Sequence, residues 1–175
     1  MVREFPNLDL ALEWAEERVL EERFSGGERL PAFEAWLGKV MAGDDIAARF
    51  LSYLEPLDLQ RGDYLFHQGD PADALYFVVS GRVGVMLEHP SARAFRMRSI
   101  TGYNVVGEMG LYRDTARIAS VVAEEPCLIL RLTREAFLMM QERDPQVTSA
   151  FHSFIVRTLA DRVGFATSEI AALQR

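Results

Sequence analysis

In the stretch VGEMGLYRDTARIAS, residues 106 to 120, a glycine, an acid and an arginine stand at positions 107, 108 and 117. Gly107 follows two strand-like valines and permits a backbone conformation, or a close approach, that a side chain would block. The run from Glu108 to Tyr112 reads as one or two helical turns. The first amides of such a turn have no intrahelical acceptor, so those near Met109 and Gly110 are donors suited to an anion. Arg117 begins the next predicted strand, and its guanidinium can neutralise and fork onto phosphate oxygens. Glu108 cannot serve a phosphate, because both are anionic, but its carboxylate can accept from a neutral diol such as a ribose. One ligand carrying a phosphate, a ribose hydroxyl and an apolar base would employ all three residues.

Such a site needs a packed scaffold, and the composition supplies one. Of 175 residues, 49% are hydrophobic and 26% charged, the balance of a globular domain with a substantial core. The formal net charge of −7 argues against non-specific attraction to nucleic acid. Cys127 is the single cysteine, so no internal disulfide can form, and on a predicted strand it reads as a buried, inert thiol. No apolar run approaches the roughly 20 residues of a spanning helix, and the acidic N-terminus is not a signal peptide. A cytoplasmic location is expected.

Along the chain, residues 8 to 23 place Leu8, Leu12, Ala15, Val19 and Leu20 on one helical face, with Asp9 as a cap. FSGGERLP, residues 24 to 31, reads as a linker by its glycines and proline. Further helices are expected over Ala32–Met41 and Asp44–Leu54. From Glu55 the period changes to short β-branched and aromatic runs cut by Arg61-Gly62-Asp63, Gln68-Gly69-Asp70 and Ser80-Gly81 turns. About eight such strands indicate a mainly β fold, an eight-stranded antiparallel β-roll or jelly roll. Thr133 then caps the helix REAFLMMQER, whose Met139-Met140 pair reads as core filling. Asp144-Pro145 opens a last, long helix to about Leu173. Its stripe of Val147, Phe151, Phe154, Ile155, Leu159, Val163, Ile170 and Leu173 is longer than one small roll needs, so its end could pair with a second copy or cover a pocket.

GEMGLYRDTARIAS resembles the phosphate-binding cassette of the cyclic nucleotide-binding domain family, whose usual pattern is Gly-Glu-Leu-Ala-Leu, a short turn, then Pro-Arg-Ala-Ala or Arg-Thr-Ala. The upstream turns, the strand Leu75-Tyr76-Phe77 and the helices after Thr133 match the family's order, so the likeness covers about residues 44 to 165. It implies a cyclic nucleotide as ligand, with Glu108 on the ribose 2′-hydroxyl and Arg117 on the cyclic phosphate. Gly107 and the amides near Met109, Gly110, Ile118 and Ala119 would complete the cradle. It also implies that the long helix closes over the base, for which Phe154, Thr158 and Arg162 are candidates by their place near its middle. Ala116 replaces a common proline, and Gly102-Tyr103-Asn104 replaces Pro-Gly-Asp. Ile118 stands where alanine, serine or threonine usually follows the arginine. Without a hydroxyl for guanine it favours cyclic AMP over cyclic GMP, although its bulk could crowd the pocket.

REFPNLDLALEWAEERVL, in turn, resembles the closing helix of the STAS domain of sulfate-permease-type transporters, some of which continue into a cyclic nucleotide-binding domain. That likeness implies residues 1–23 closing a neighbouring domain, a linker at 24–31, the nucleotide-binding domain at 32–165 and a helical extension at 166–175, attached to a membrane transporter. A regulator that binds DNA would need a further recognition helix, for which the chain leaves no room. His67, His89 and His152 are scattered, so no metal site is expected; nor is there a Gly-x-Ser-x-Gly elbow, and no enzyme or cofactor chemistry is expected. The residues leave a second reading open, in which Glu108 and Arg117 form a surface ion pair and the roll is a structural or interaction module with no small ligand.

Overall fold

The computed structural model describes residues 29–41, 43–89 and 92–173. The helix expected over residues 8 to 23 and the start of the linker lie outside them. Helix α1 spans Arg29–Val40 and α2 spans Asp44–Leu51. The linker therefore does not extend to residue 31, because Arg29, Leu30 and Pro31 form the first turn of α1. A proline is tolerated there, since first-turn amides have no helical acceptor to lose. Helix α2 stops short of Leu54, as Ser52 and Tyr53 turn back onto the carbonyls of Arg49 and Phe50.

Eight strands follow: β1 (Glu55–Leu59), β2 (Tyr64–Phe66), β3 (Ala74–Ser80), β4 (Arg82–His89), β5 (Ala92–Thr101), β6 (Asn104–Val106), β7 (Ser120–Ala123) and β8 (Cys127–Thr133). They form two four-stranded antiparallel sheets, in the orders β1-β8-β3-β6 and β2-β7-β4-β5. This is the jelly roll that the turn spacing predicts. Gly81, with φ +86°, makes the tight turn from β3 to β4, where a Cβ would lie 2.4 Å from the Pro126 carbonyl.

Strand β3 explains how roll and helices share one core. Its residues Ala74, Tyr76 and Val78 face the roll interior beside Val83, Ile100, Val121 and Ile129. The alternate residues Leu75, Phe77 and Val79 face the helices. A strand buried on both faces has no polar side, which is why ALYFVV reads as a continuous apolar run. Cys127 is buried as expected, and burial pushes its thiol up to about 11, so it stays protonated near neutrality.

The C-terminal helices are α3 (Glu108–Arg113), between β6 and β7, then α4 (Arg134–Arg143) and α5 (Pro145–Leu173). Thr133 caps α4 by accepting from the Ala136 amide at 3.1 Å. Asp144 accepts from the Val147 amide at the start of α5 and from Arg49 of α2, tying the two helices together. On α4, Met140 is buried but Met139 is partly exposed, so the pair does not fill the core together. On α5 the stripe holds for Val147, Phe151, Phe154 and Ile155, which are buried, and ends at the half-buried Leu159; Val163 is exposed. No helix among the described residues is long and apolar enough to cross a membrane.

Phe77 touches Phe33, Phe50 and Phe154, from three different helices, and is fully buried. Phe77→Ala is expected to cost about 3–5 kcal/mol of unfolding free energy, measured by urea denaturation. A loss below 1 kcal/mol would show that the helices are not held through this ring.

Candidate functional site

Strand β6 ends at Val106, and the chain enters α3 through Gly107 at φ +81°, a left-handed conformation that disfavours other residues. Helix α3 is left through Asp114, also left-handed at φ 52°. Residues 115–119 then run back to β7. Arg117 does not begin that strand, contrary to the sequence expectation. Its backbone is taken by the preceding turn, with its amide donating to Asp70 O at 2.9 Å and its carbonyl accepting from the Gly69 amide at 2.8 Å.

The Arg117 side chain is buried, with 4% of the residue exposed. Nη1 donates to the Gly107 carbonyl at 3.0 Å and Nη2 to the Ala74 carbonyl at 2.6 Å. Asp73 lies 3.5 Å from Nη2. The guanidinium sits 4.1 Å from the centre of the Phe66 ring and 5.7 Å from that of Tyr76. Burial pushes this guanidinium below its ordinary value, against the charges of Tyr76, Asp73 and Asp70. Its Nε is buried and has no hydrogen-bond partner among the described residues. A buried, unpartnered donor on a cation fits an anionic ligand oxygen.

Glu108 is also 4% exposed. Its Oε1 accepts from Arg162 Nη1 of α5 at 2.6 Å, while Arg162 Nη2 donates to the Val105 carbonyl at 2.5 Å. Burial lowers Arg162 from its ordinary value and the carboxylate of Glu108 opposes that. The reading of Glu108 and Arg117 as a surface ion pair with each other is therefore overturned: both are buried, and each has other partners.

The remaining predicted residues divide by their exposure and contacts. Gly110 lets α3 approach the turn before β3, since a Cβ there would lie 2.5 Å from Ala72 Cβ. Ala119 is buried. Met109 and Ile118 are exposed at 39% and 56%, so neither side chain is packed inside the roll. Among the capping candidates, Phe154 stacks on Phe77 and meets Trp36 edge-on within the core, so it cannot reach a ligand. Thr158 is half-buried on α5. Arg162 alone reaches the cassette. Sequence reasoning missed its bond to Glu108, and it missed Phe66, Tyr76 and the Ala74 carbonyl around Arg117. Among the described residues, no cluster of three or more histidine, cysteine or acidic side chains could hold a metal ion.

Comparison with known proteins bears on the family and the fold. The family described as "Cyclic nucleotide-binding domain" matches residues 56–144. Glutaminase 1 of Bradyrhizobium diazoefficiens is 30% identical over 98% of this chain and 28% of its own length. The Cyclic AMP receptor protein of Thermus thermophilus is 32% identical over 63% of this chain and 51% of its own. The chain thus spans about half or less of these relatives. A crystal structure of a cyclic nucleotide-binding domain from Methylobacillus flagellatus shares the fold, with a TM-score of 0.70 over 79% of this chain and 84% of that one, at 19% identity.

A Cβ at position 107 would lie 2.7 Å from Arg117 Nη1. Gly107→Ala is expected to lose about 1–2 kcal/mol from the left-handed backbone alone and to displace the guanidinium. Chemical denaturation of the folded variant measures the first effect, and unchanged stability would contradict the assigned conformation.

Proposed function

The chain belongs to the cyclic nucleotide-binding domain family, and on that premise we propose that it is a regulatory domain that senses a cyclic nucleotide through Arg117 and Glu108. The observation that carries the reading is the buried Arg117 guanidinium with its unpartnered Nε, bonded to the carbonyl of Gly107, the residue before the buried Glu108. The cyclic phosphate is bound by Arg117, with Gly107, Gly110 and the amides of Met109, Gly110, Ile118 and Ala119 forming the cradle. The ribose hydroxyl is bound by Glu108. Ile118, which lacks a hydroxyl, is the one residue of the cassette that argues for cyclic AMP.

Output runs through α5. Glu108 bonds Arg162, so the carboxylate that takes the ribose also holds the helix. A ligand moves the helix only if it favours one helix position over another, because equal affinity shifts nothing. The effector is an attached protein on the cytoplasmic side. It is a transporter on the resemblance of the N-terminal helix, or an enzyme if the arrangement follows Glutaminase 1, most of whose length lies outside the match. Beyond Leu159 the helix leaves the core, and Val156, Ala160 and Val163 line an exposed stripe at spacings of four and three. Such a stripe suits a parallel or antiparallel helix of a second copy. Homodimerisation through it is expected to be weakened by Val163→Glu, read as a shift toward monomer in sedimentation equilibrium; a protein that is monomeric before substitution contradicts it.

Isothermal titration with cyclic AMP and cyclic GMP tests the main reading. Binding of at least one is expected, with affinity falling at least a hundredfold in Arg117→Leu while the far-ultraviolet spectrum is retained, since removing a partner from a buried charged contact costs about 3–5 kcal/mol. Arg162→Ala is expected to speed amide exchange in the last turns of α5 and leave the roll protected. Absence of binding to either nucleotide, in protein shown to be folded, would leave a structural or interaction module.

A further inference from the structure

We propose that residues 8–23 dock on the β4–β5 hairpin, with their apolar stripe over Leu87 and Phe95 and a carboxylate on Arg98. Strand β5 ends the second sheet, so one edge of its ten residues pairs with no strand among the described residues. The face beside that edge is open as well. Leu87 is the register partner of Phe95 and Val85 that of Arg98, and directly paired residues of antiparallel strands share a face. The pairing skips Met97, which is why Phe95 and Arg98, three apart, lie on one side. Nearer the base of the hairpin, Val83 and Ile100 carry this face into the core and are buried. Toward the tip it surfaces, with Leu87 40% and Phe95 67% exposed.

This surface is basic in a chain of net charge −7. Arg96 and Arg98 are both exposed. Arg96 meets Glu124 at 3.1 Å, whereas Arg98 pairs with no carboxylate among the described residues. Arg98 also stands near Arg162, whose guanidinium is lowered first by burial and further by the like charge of Arg98. A second copy on this face would set the same arginines against each other across a two-fold axis, which like charge disfavours. The fitting occupant is an apolar stripe flanked by acids. Residues 8–23 supply one: Leu8, Leu12, Ala15 and Val19 share a helical face, and six acids stand against Arg18 and Arg23. Asp9, Glu13 and Glu16 border that stripe on one side. A helix is also a common cover for an open sheet edge.

The reach of the chain fits. Arg29, the first residue of α1, donates to Ser80 Oγ at 3.2 Å, beside the turn that opens the hairpin. The base of the hairpin is the Arg82–Thr101 pair. Residues 24–28 join the segment to Arg29 and can span about 17 Å. A helix rises about 1.5 Å per residue and a strand about 3.3 Å. With residue 23 at the base, Glu16 stands about 10 Å out, level with Arg98 on β5. Leu12 stands about 16 Å out, level with Leu87 on β4.

Trypsin cleavage after Arg18 and Arg23 in the whole chain reads the contact, since a docked site is cut only in proportion to its release. A synthetic peptide of residues 8–28 sets the undocked rate, and the wild-type chain is expected to be cut well below it. Phe95→Ala should speed both cuts about tenfold, the scale of losing a buried ring. Arg98→Glu should speed them roughly fivefold, and Glu16→Arg added to it should restore most of the protection. Phe95 and Arg98 are exposed, so these substitutions leave the core untouched. Leu12→Cys combined with Leu87→Cys should form a bridge within one chain under mild oxidation, Cys127 being buried. Leu12→Cys combined with Leu138→Cys, on α4, should not. A wild-type rate equal to that of the peptide, rates unmoved by Phe95→Ala and Arg98→Glu, or bridges only between chains would each overturn the docking.

Discussion

A guanidinium held inside the roll sets the terms for the rest of the molecule. A charge removed from water is tolerated only when hydrogen bonds and opposing charge replace its hydration. Arg117 meets that condition mainly with backbone: the carbonyls of Gly107 and Ala74, with Asp73 at the rim and two aromatic faces beneath. Each of these partners fixes a piece of the fold. The Gly107 carbonyl faces inward because the backbone there is left-handed, and the Ala74 carbonyl belongs to the first residue of β3. The turn at residues 67–70 is closed onto the backbone of the arginine itself. The cation is thus a structural fastener as well as a candidate ligand contact, and its unpartnered Nε is what fastening alone does not account for.

From that centre, order passes outward through β3. One strand supplies Tyr76 to the guanidinium and Phe77 to the helices, on alternate faces of the same backbone. A displacement at the cassette therefore has a short path into the packing of α1, α2 and α5. A second path is direct: Leu111 of α3 is buried within the helical cluster, and Tyr112 packs edge-on against Phe137 of α4 and His152 of α5. The cassette helix is wedged between the roll and the two C-terminal helices, so it cannot shift without repacking one of them.

Features with a local cause were legible in the sequence. The turns of Gly62, Gly69 and Gly81, the two-sided apolar run of β3, the Thr133 cap and the Gly107-Glu108 entry each follow from a few adjacent residues. What escaped was long-range or made of backbone. No side-chain pattern announces that Arg117 will bond two carbonyls, one of them 43 residues away. The bond of Arg162 to Glu108 crosses 54 residues and needs the docked position of α5. Phe154 was misjudged because a helix stripe shows which face is apolar but not which turn of it is fully covered.

The ion pair between Arg162 and Glu108 constrains how a ligand can act on α5. A ribose hydroxyl is neutral and can satisfy part of the carboxylate, but it cannot replace the charge of a buried partner. Loss of one member of a buried ion pair typically costs about 3–5 kcal/mol, well above the roughly 0.5–1.5 kcal/mol of an ordinary hydrogen bond. On the nucleotide reading, a mechanism in which the ligand expels Arg162 from Glu108 is therefore unfavourable. The pair instead travels together, and a small movement of Glu108 with α3 carries α5 with it. Because Arg162 lies where the helix has already left the core, a shift there meets little resistance from packing beyond that point. The physical requirement is only that the ribose draw Glu108 to a position that Arg162 can follow while keeping its second bond, to the Val105 carbonyl, at the end of the strand that leads into the cassette.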